Sequence, residues 1–412
     1  MSSIRPFRAW RPQVDLAPSI ASPPYDVMSS SEARETARGN DLSFLHVIKP
    51  EIDLEPGIDP YDPRVYEKGA ENLRRLIQRG ALIREETPCF YIYQQRMGNH
   101  VQAGVVAGAS VDEYEQGLIK KHEFTRPDKE DDRTRHVNAL DANTGPVFLT
   151  YHASNEVDGI VDAIRAGQPE YDFVSDDGIG HTLWVVRKSE EIERLTRTFE
   201  KVSPLYIADG HHRSASATRV RAMRRDDNQA HQGTEEYNFF LAVIFPHDQM
   251  KIMAYNRVVK DLNAREPEDF LAALTEVFEV SPATAPEPDR PKCFGMFLGA
   301  RWHRLAARAG SYPARDPVAA LDCAILQDNL LHPVLGIEDP RTDKRIDFVG
   351  GIRGTDELER RCGGDWAVAF ALYPTSIEQL ISVADAGKVM PPKSTWFEPK
   401  LRSGLIVRPL ED

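Results

Sequence analysis

Leu205-Tyr-Ile-Ala-Asp-Gly-His-His-Arg-Ser214 is the stretch on which the reading of this chain turns. Residues 205–208 form a short apolar run carrying Tyr and Ile, the pattern of a buried strand. Asp209-Gly210 breaks the run, because glycine supplies the backbone angles of a tight turn. The residues that follow, through Arg225, are rich in Ala and Arg and contain neither Pro nor Gly, which predicts a helix. Two histidines and an arginine therefore fall where a strand hands over to a helix. Unpaired N–H groups and the positive end of the helix dipole favour an anion at such a place. Arg213 adds a forked donor that suits phosphate, and Asp209 sets a carboxylate beside it. Gly210, His211, His212 and Arg213 are thus the candidate phosphate ligands, weighed against a plain solvated helix cap.

The chain has 412 residues, 41% hydrophobic and 28% charged, an ordinary balance for a large globular core with two or three domains or lobes. Lys and Arg number 51 against 64 Asp and Glu, and the net charge of −13 lends no support to a nucleic-acid partner. Cys89, Cys293, Cys323 and Cys362 are far apart and make no metal-ligand spacing, as expected of reduced thiols in a cytoplasmic protein. The chain starts without an apolar leader and has no run of about 18 apolar residues, so neither secretion nor membrane spanning is expected.

Two further polar constellations stand out. Lys120-Lys-His-Glu-Phe-Thr-Arg-Pro127 places His122 and Glu123 where they could face a phosphate or a metal, with a solvated loop as the plain alternative. The tail Met390-Pro-Pro-Lys-Ser-Thr-Trp-Phe-Glu-Pro-Lys400 offers Lys393, Ser394 and Thr395, a cation and two hydroxyls, on a proline-stiffened loop. No Walker A loop, Gly-x-Gly-x-x-Gly, Gly-x-Ser-x-Gly elbow or His-Glu-x-x-His helix is present.

Around these, residues 64–79, 155–166 and 189–202 predict helices, and 90–94 with 101–111 a hairpin. Residues 43–48, 147–152 and 181–187 predict strands. Residues 237–245 are nearly all apolar, so both faces of that strand should be covered. Residues 251–259 predict one strand, containing Arg257, and 317–331 a helix. Thr375 with Glu378 predicts a capping box for a helix over 376–386. The proline-bearing stretch 281–292 predicts a linker between a domain at 1–280 and a lobe at 293–412.

Pro6-Phe-Arg-Ala9, Pro23-Pro-Tyr-Asp26, His122-Glu123, Ala208-Asp-Gly-His-His-Arg213 and Met390-Pro-Pro-Lys-Ser-Thr395 together resemble the bacterial and archaeal family known as domain of unknown function 1015. The central motif is also similar to the phosphate-binding turn of the ParB and sulfiredoxin-like superfamily, which includes nucleotide-dependent free serine kinases. That likeness implies a nucleotide phosphate held by His211, His212 and Arg213 as cations. It makes Asp209 the acid/base, with His211 a second catalytic candidate. Tyr25, Asp26, His122, Glu123 and Arg257 are the candidates for contacting substrate.

The expectation is an α+β fold of mixed sheets with packed helices, a ParB-like phosphate-binding core and a C-terminal α/β lobe. The expected activity is phosphoryl transfer between a nucleotide, ATP or ADP with Mg²⁺, and a small metabolite such as serine. Nucleotide phosphates usually bring that ion, so no dedicated protein metal site is expected. Hydrolysis of a phosphomonoester such as phosphoserine would use the same site. The rival is a non-catalytic nucleotide-sensing or DNA-associated protein, which requires a basic face at 219–225 or 120–126.

Overall fold

The computed structural model describes residues 2–411, which divide into two compact units. The first spans residues up to 250 together with 399–412, and the second spans 251–398. The fold is α+β, with mixed and antiparallel sheets and packed helices.

A nine-stranded mixed sheet organises the first unit. In chain order its strands are β1 (Ile4–Arg5), β2 (Phe90–Met97), β3 (His100–Ser110), β4 (Ile119–Lys120), β5 (Val147–Tyr151), β6 (Tyr171–Val174), β7 (Gly180–Val186), β8 (Leu205–Asp209) and β9 (Phe239–Pro246). They lie in the order β4-β8-β5-β9-β3-β2-β7-β6, with β1 against β3. The pairs β4/β8 and β5/β9 are parallel and the others antiparallel. The strand β9 is central and buried from Phe240 onward, as its unbroken apolar run requires.

The first unit has five longer helices: α1 (Pro63–Gln78), α2 (Pro127–Leu140), α3 (Asn155–Arg165), α4 (Ser189–Phe199) and α5 (His211–Asp227). Val157, Ile160, Leu195 and Phe199 from α3 and α4 join Ile92, Val105, Leu149, Ile207 and Ile244 of the sheet in one core. A second core lies under α1, where Leu73 and Leu76 meet Phe44, Leu45, Val47, Leu140 and Val407. Residues 43–48, expected as a strand, instead contain the short helix Leu45–Ile48. Residues 43–48 pair Phe44-Leu45 and Val47-Ile48 around His46, too short a stretch for a clear period, and packing against α1 decides it. The segment after Pro399 returns to this unit, where Arg408 and Pro409 pair with Asn143 and Ala142, and buried Arg408 bonds the Glu236 carboxylate.

The second unit is built on a six-stranded antiparallel sheet. Its strands are β10 (Tyr255–Val259), β11 (Phe278–Pro282), β12 (Cys293–Leu298), β13 (Arg301–Ala307), β14 (Ile346–Gly350) and β15 (Val368–Leu372), in the order β11-β13-β12-β15-β10-β14. The stretch 281–292 lies inside this unit. Its first residues end β11, and the Pro286 carbonyl packs so closely over Gly295 that no side chain would fit there. The single strand expected over 251–259 is two: Lys251–Met253 pairs with Trp396–Glu398, and β10 joins the sheet. Helix formation expected from 317 starts only at Asp322, because Asp316 accepts from the Val318 and Ala319 amides and holds a turn. The capping box of the last helix is built by Ser376 and Gln379, since the Thr375 hydroxyl is taken by the Ser394 carbonyl at 2.8 Å. Among the described residues no helix is long and apolar enough to cross a membrane.

Candidate functional site

The turn after β8 is shaped by a register shift. Ile207 pairs with Leu149 but Asp209 with Phe148, so one residue bulges and re-aims Asp209 at the strand end. Gly210 then adopts φ 99°, open to glycine almost alone, and N-caps α5. No side chain caps this 17-residue helix and its first turn carries no acidic residue. Its first amides therefore keep the partial positive charge of a helix start.

Three distant segments meet here. The His211 Nε2 accepts from the His122 amide at 3.4 Å, and the two rings stand edge to face with centroids 4.5 Å apart. Glu123 brings a carboxylate oxygen to 3.7 Å from His211 Nδ1. The His212 Nε2 accepts from the Arg126 amide at 3.1 Å. Arg213 donates through Nη2 to Asp26 at 3.3 Å and through Nη1 to the Pro146 carbonyl. Next to Asp26, the Tyr25 ring lies 3.9 Å from the Arg133 guanidinium, and burial pushes its phenol up to about 12. Tyr25, Asp26, His122 and Glu123 thus sit with Asp209, Gly210, His211, His212 and Arg213 in one cluster of the first unit.

A further cation completes the cluster. Lys400 donates to Asp209 Oδ2 at 3.1 Å, and Gln95 fixes the Lys400 carbonyl at 2.9 Å. Burial alone would raise the Asp209 pKa, but Lys400 and then Arg213 outweigh it and hold the carboxylate well below its usual range. The quoted tail ends in Lys400, yet a lone lysine after Glu-Pro carries no motif. Only the return of the chain to the first unit gives it a role.

The histidines differ from the sequence expectation of cationic phosphate ligands. Burial lowers His122 to about 4 and drives His211 well below its ordinary value, and it lowers His212 as well. All three are neutral imidazoles near pH 7. The positive charge at the turn comes from Arg213, Lys400 and the helix start, with Lys121, Arg126 and Arg133 nearby. Among the described residues, Arg213 Nε and His122 Nδ1 are buried without a hydrogen-bond partner. Arg213 thus spends two of its five N–H donors, on Asp26 and the Pro146 carbonyl.

Lys393, Ser394, Thr395 and Arg257 belong to the second unit. There the Ser394 hydroxyl donates to the Pro391 carbonyl at 2.5 Å and lies 3.1 Å from Cys323 Sγ. Arg257 is buried and its Nη2 donates to the Lys393 carbonyl at 3.0 Å, so it braces this loop. Lys393 itself has φ 58° and its ammonium lies 5.6 Å from the Tyr255 ring centroid.

The arginines of α5 that a nucleic-acid face would use each have a carboxylate partner. Arg219 pairs with Asp131 at 3.0 Å, Arg221 with Asp112 and Glu115, and Arg224 with Asp141 at 3.0 Å. Among the described residues no group of three or more His, Cys, Asp or Glu is placed to hold a metal ion.

The chain belongs to the family described as protein of unknown function (DUF1015), which matches residues 4–324. The Met390–Thr395 motif lies beyond the matched residues. A search of curated proteins gave no match. Among solved structures the chain is similar to SbnI with a C-terminal truncation from Staphylococcus aureus, at 13% identity and TM-score 0.38, covering 74% of this chain and 87% of that one. It is also similar to a mutant free serine kinase in complex with AMP, at 14% identity and TM-score 0.36, covering 71% and 86%. A conserved hypothetical protein from Pyrococcus furiosus matches at 13% identity and TM-score 0.35, covering 74% and 95%.

Proposed function

We propose that this chain binds a nucleotide, ATP or ADP, through its phosphates at the turn 209–213, and transfers a phosphoryl group to the hydroxyl of a small metabolite, serine being one candidate. The observation that carries this reading is the pairing of Asp209 with Lys400 at 3.1 Å, beside Arg213 and the uncapped start of α5. Two cations and a row of helix amides around one ionised carboxylate are what phosphoryl transfer asks of a protein. The cations neutralise the phosphoryl oxygens, and the carboxylate takes the proton of the attacking hydroxyl.

Held by Lys400, Asp209 is a weak proton acceptor. A bound phosphate would compete for Lys400 and Arg213, loosening their hold and raising the proton affinity of Asp209 when the hydroxyl arrives. The neutral His211 and His212 act as braces that fix the loop 122–126 against the helix start. The Asp-Gly-His-x-Arg likeness to the free serine kinases of the ParB and sulfiredoxin-like superfamily supports the same assignment. Mg²⁺ is ordinarily held by one or two carboxylates plus phosphate oxygens. Asp26, which pairs with Arg213, is the carboxylate that would hold it, leaving Asp209 to take the proton, and the ion would add charge neutralisation.

The test follows label from the γ-phosphate of ATP into a panel of small hydroxyl metabolites, serine first. Asp209→Asn should bind nucleotide at least as well as the parent and turn over roughly two to four orders of magnitude more slowly. Transfer at the parental rate by that variant would end the assignment.

A further inference from the structure

We infer that Phe124 is the stacking surface for the base of the nucleotide whose phosphates occupy the turn. This rests on the reading of that turn as a phosphate site. Phe124 is 74% exposed, more than any other large hydrophobic side chain among the described residues. It stands at the middle of a loop whose amides at 122 and 126 are both held by the first two residues of α5, His211 and His212. The loop is fastened further where the Thr125 hydroxyl donates to the Glu130 carboxylate in the first turn of α2. An aromatic ring is thus presented to water on a loop whose amides at 122 and 126 are bonded to the first two residues of α5, next to the turn proposed to hold phosphate. An exposed aromatic ring on a loop tied by hydrogen bonds to the uncapped start of a helix has the makings of a binding surface. The chemistry it suits is a flat, aromatic, uncharged group joined to phosphate, namely a nucleobase, because every base offers a face to stack on. A purely inorganic polyphosphate would have no use for the ring.

The experiment titrates ATP and inorganic tripolyphosphate into the full chain, its Phe124→Ala variant and its Phe124→Trp variant by calorimetry. Phe124 is exposed, so neither variant should disturb folding, and equal melting temperatures check this. Phe124→Ala should weaken ATP roughly tenfold and leave tripolyphosphate within about twofold, and Phe124→Trp should restore ATP affinity. Unchanged ATP affinity in Phe124→Ala, or equal losses for both ligands, overturns the inference while leaving the phosphate site standing. Absence of tripolyphosphate and ATP binding to the parent chain overturns the phosphate reading and this inference together.

Discussion

Replacing Lys400 with Met removes the ammonium from Asp209 while keeping most of the side chain's apolar stem. The pair is 3.1 Å apart and neither partner is fully sheltered, the Lys400 and Asp209 side chains being 17% and 32% exposed. At the effective dielectric of about 20 that suits such a place, the gross attraction at this separation is about 5 kcal/mol. Desolvation of both ions and the ordering of a lysine offset much of it. Exposed pairs retain about 0.2–1 kcal/mol, whereas breaking a buried pair costs about 3–5 kcal/mol. This pair lies between, and a coupling near 2 kcal/mol is expected. Lys400→Met should therefore cost about 2–3 kcal/mol, Asp209→Asn about 1 kcal/mol, and the double variant clearly less than their sum. Urea unfolding of the four proteins supplies the cycle. Because the cycle takes differences of differences, any contribution of the second unit cancels, provided the slopes agree. A coupling below about 0.5 kcal/mol would mean that the pair is incidental and that Asp209 owes its ionised state to something else.

Two other outcomes follow from the same geometry. Gly210→Ala should destabilise by about 2 kcal/mol, because φ is 99° and the new Cβ would sit 3.3 Å from Val147 Cα; unfolding equilibria matching the parent would show that the turn relaxes freely. Burial lowers His136 from 6.5 to about 4, so the unfolded chain takes a proton that the folded chain refuses. The stability this gives is present above about pH 6.5 and is lost as pH falls toward about 4, amounting to roughly 3 kcal/mol. His136→Gln should flatten the fall of melting temperature over that window, and an unchanged slope would reassign the acid lability.

Much of the central element was legible. The apolar run, the Asp-Gly break and the Pro-free helix after it fix β8, the turn and α5, because local propensity and tertiary packing agree there. The polar stretches 120–127, 209–214 and 390–400 each stand out in the sequence, but that 25–26 and 122–123 lie with 209–213 in one unit, and the electrostatics of that cluster, are not legible there. Adjacent histidines read as cations in a sequence, and only burial reveals them as neutral. Lys400 was passed over for Lys393 because Pro-Pro-Lys-Ser-Thr looks like a phosphate loop. The Ser394 hydroxyl of that loop is instead spent on Pro391 and Cys323. The division of the chain was illegible for a simpler reason. A segment that leaves after 250 and returns at 399 leaves no composition shift, whereas the prolines of 281–292 do leave one inside the second unit.

The central claim is that the turn 209–213 holds phosphate. It is tested most directly by the melting temperature of the parent chain and of Arg213→Ala across a titration of ATP. A ligand that binds only the folded chain stabilises it by about 2.7 kcal/mol at a hundredfold excess over its dissociation constant. The parent should show a melting temperature that keeps rising with the logarithm of ATP concentration above the dissociation constant, and Arg213→Ala, starting from a ligand-free melting temperature lowered by the loss of its bonds to Asp26 and the Pro146 carbonyl, should lose that rise. An undiminished rise in Arg213→Ala, or none in the parent at millimolar ATP, would contradict the account.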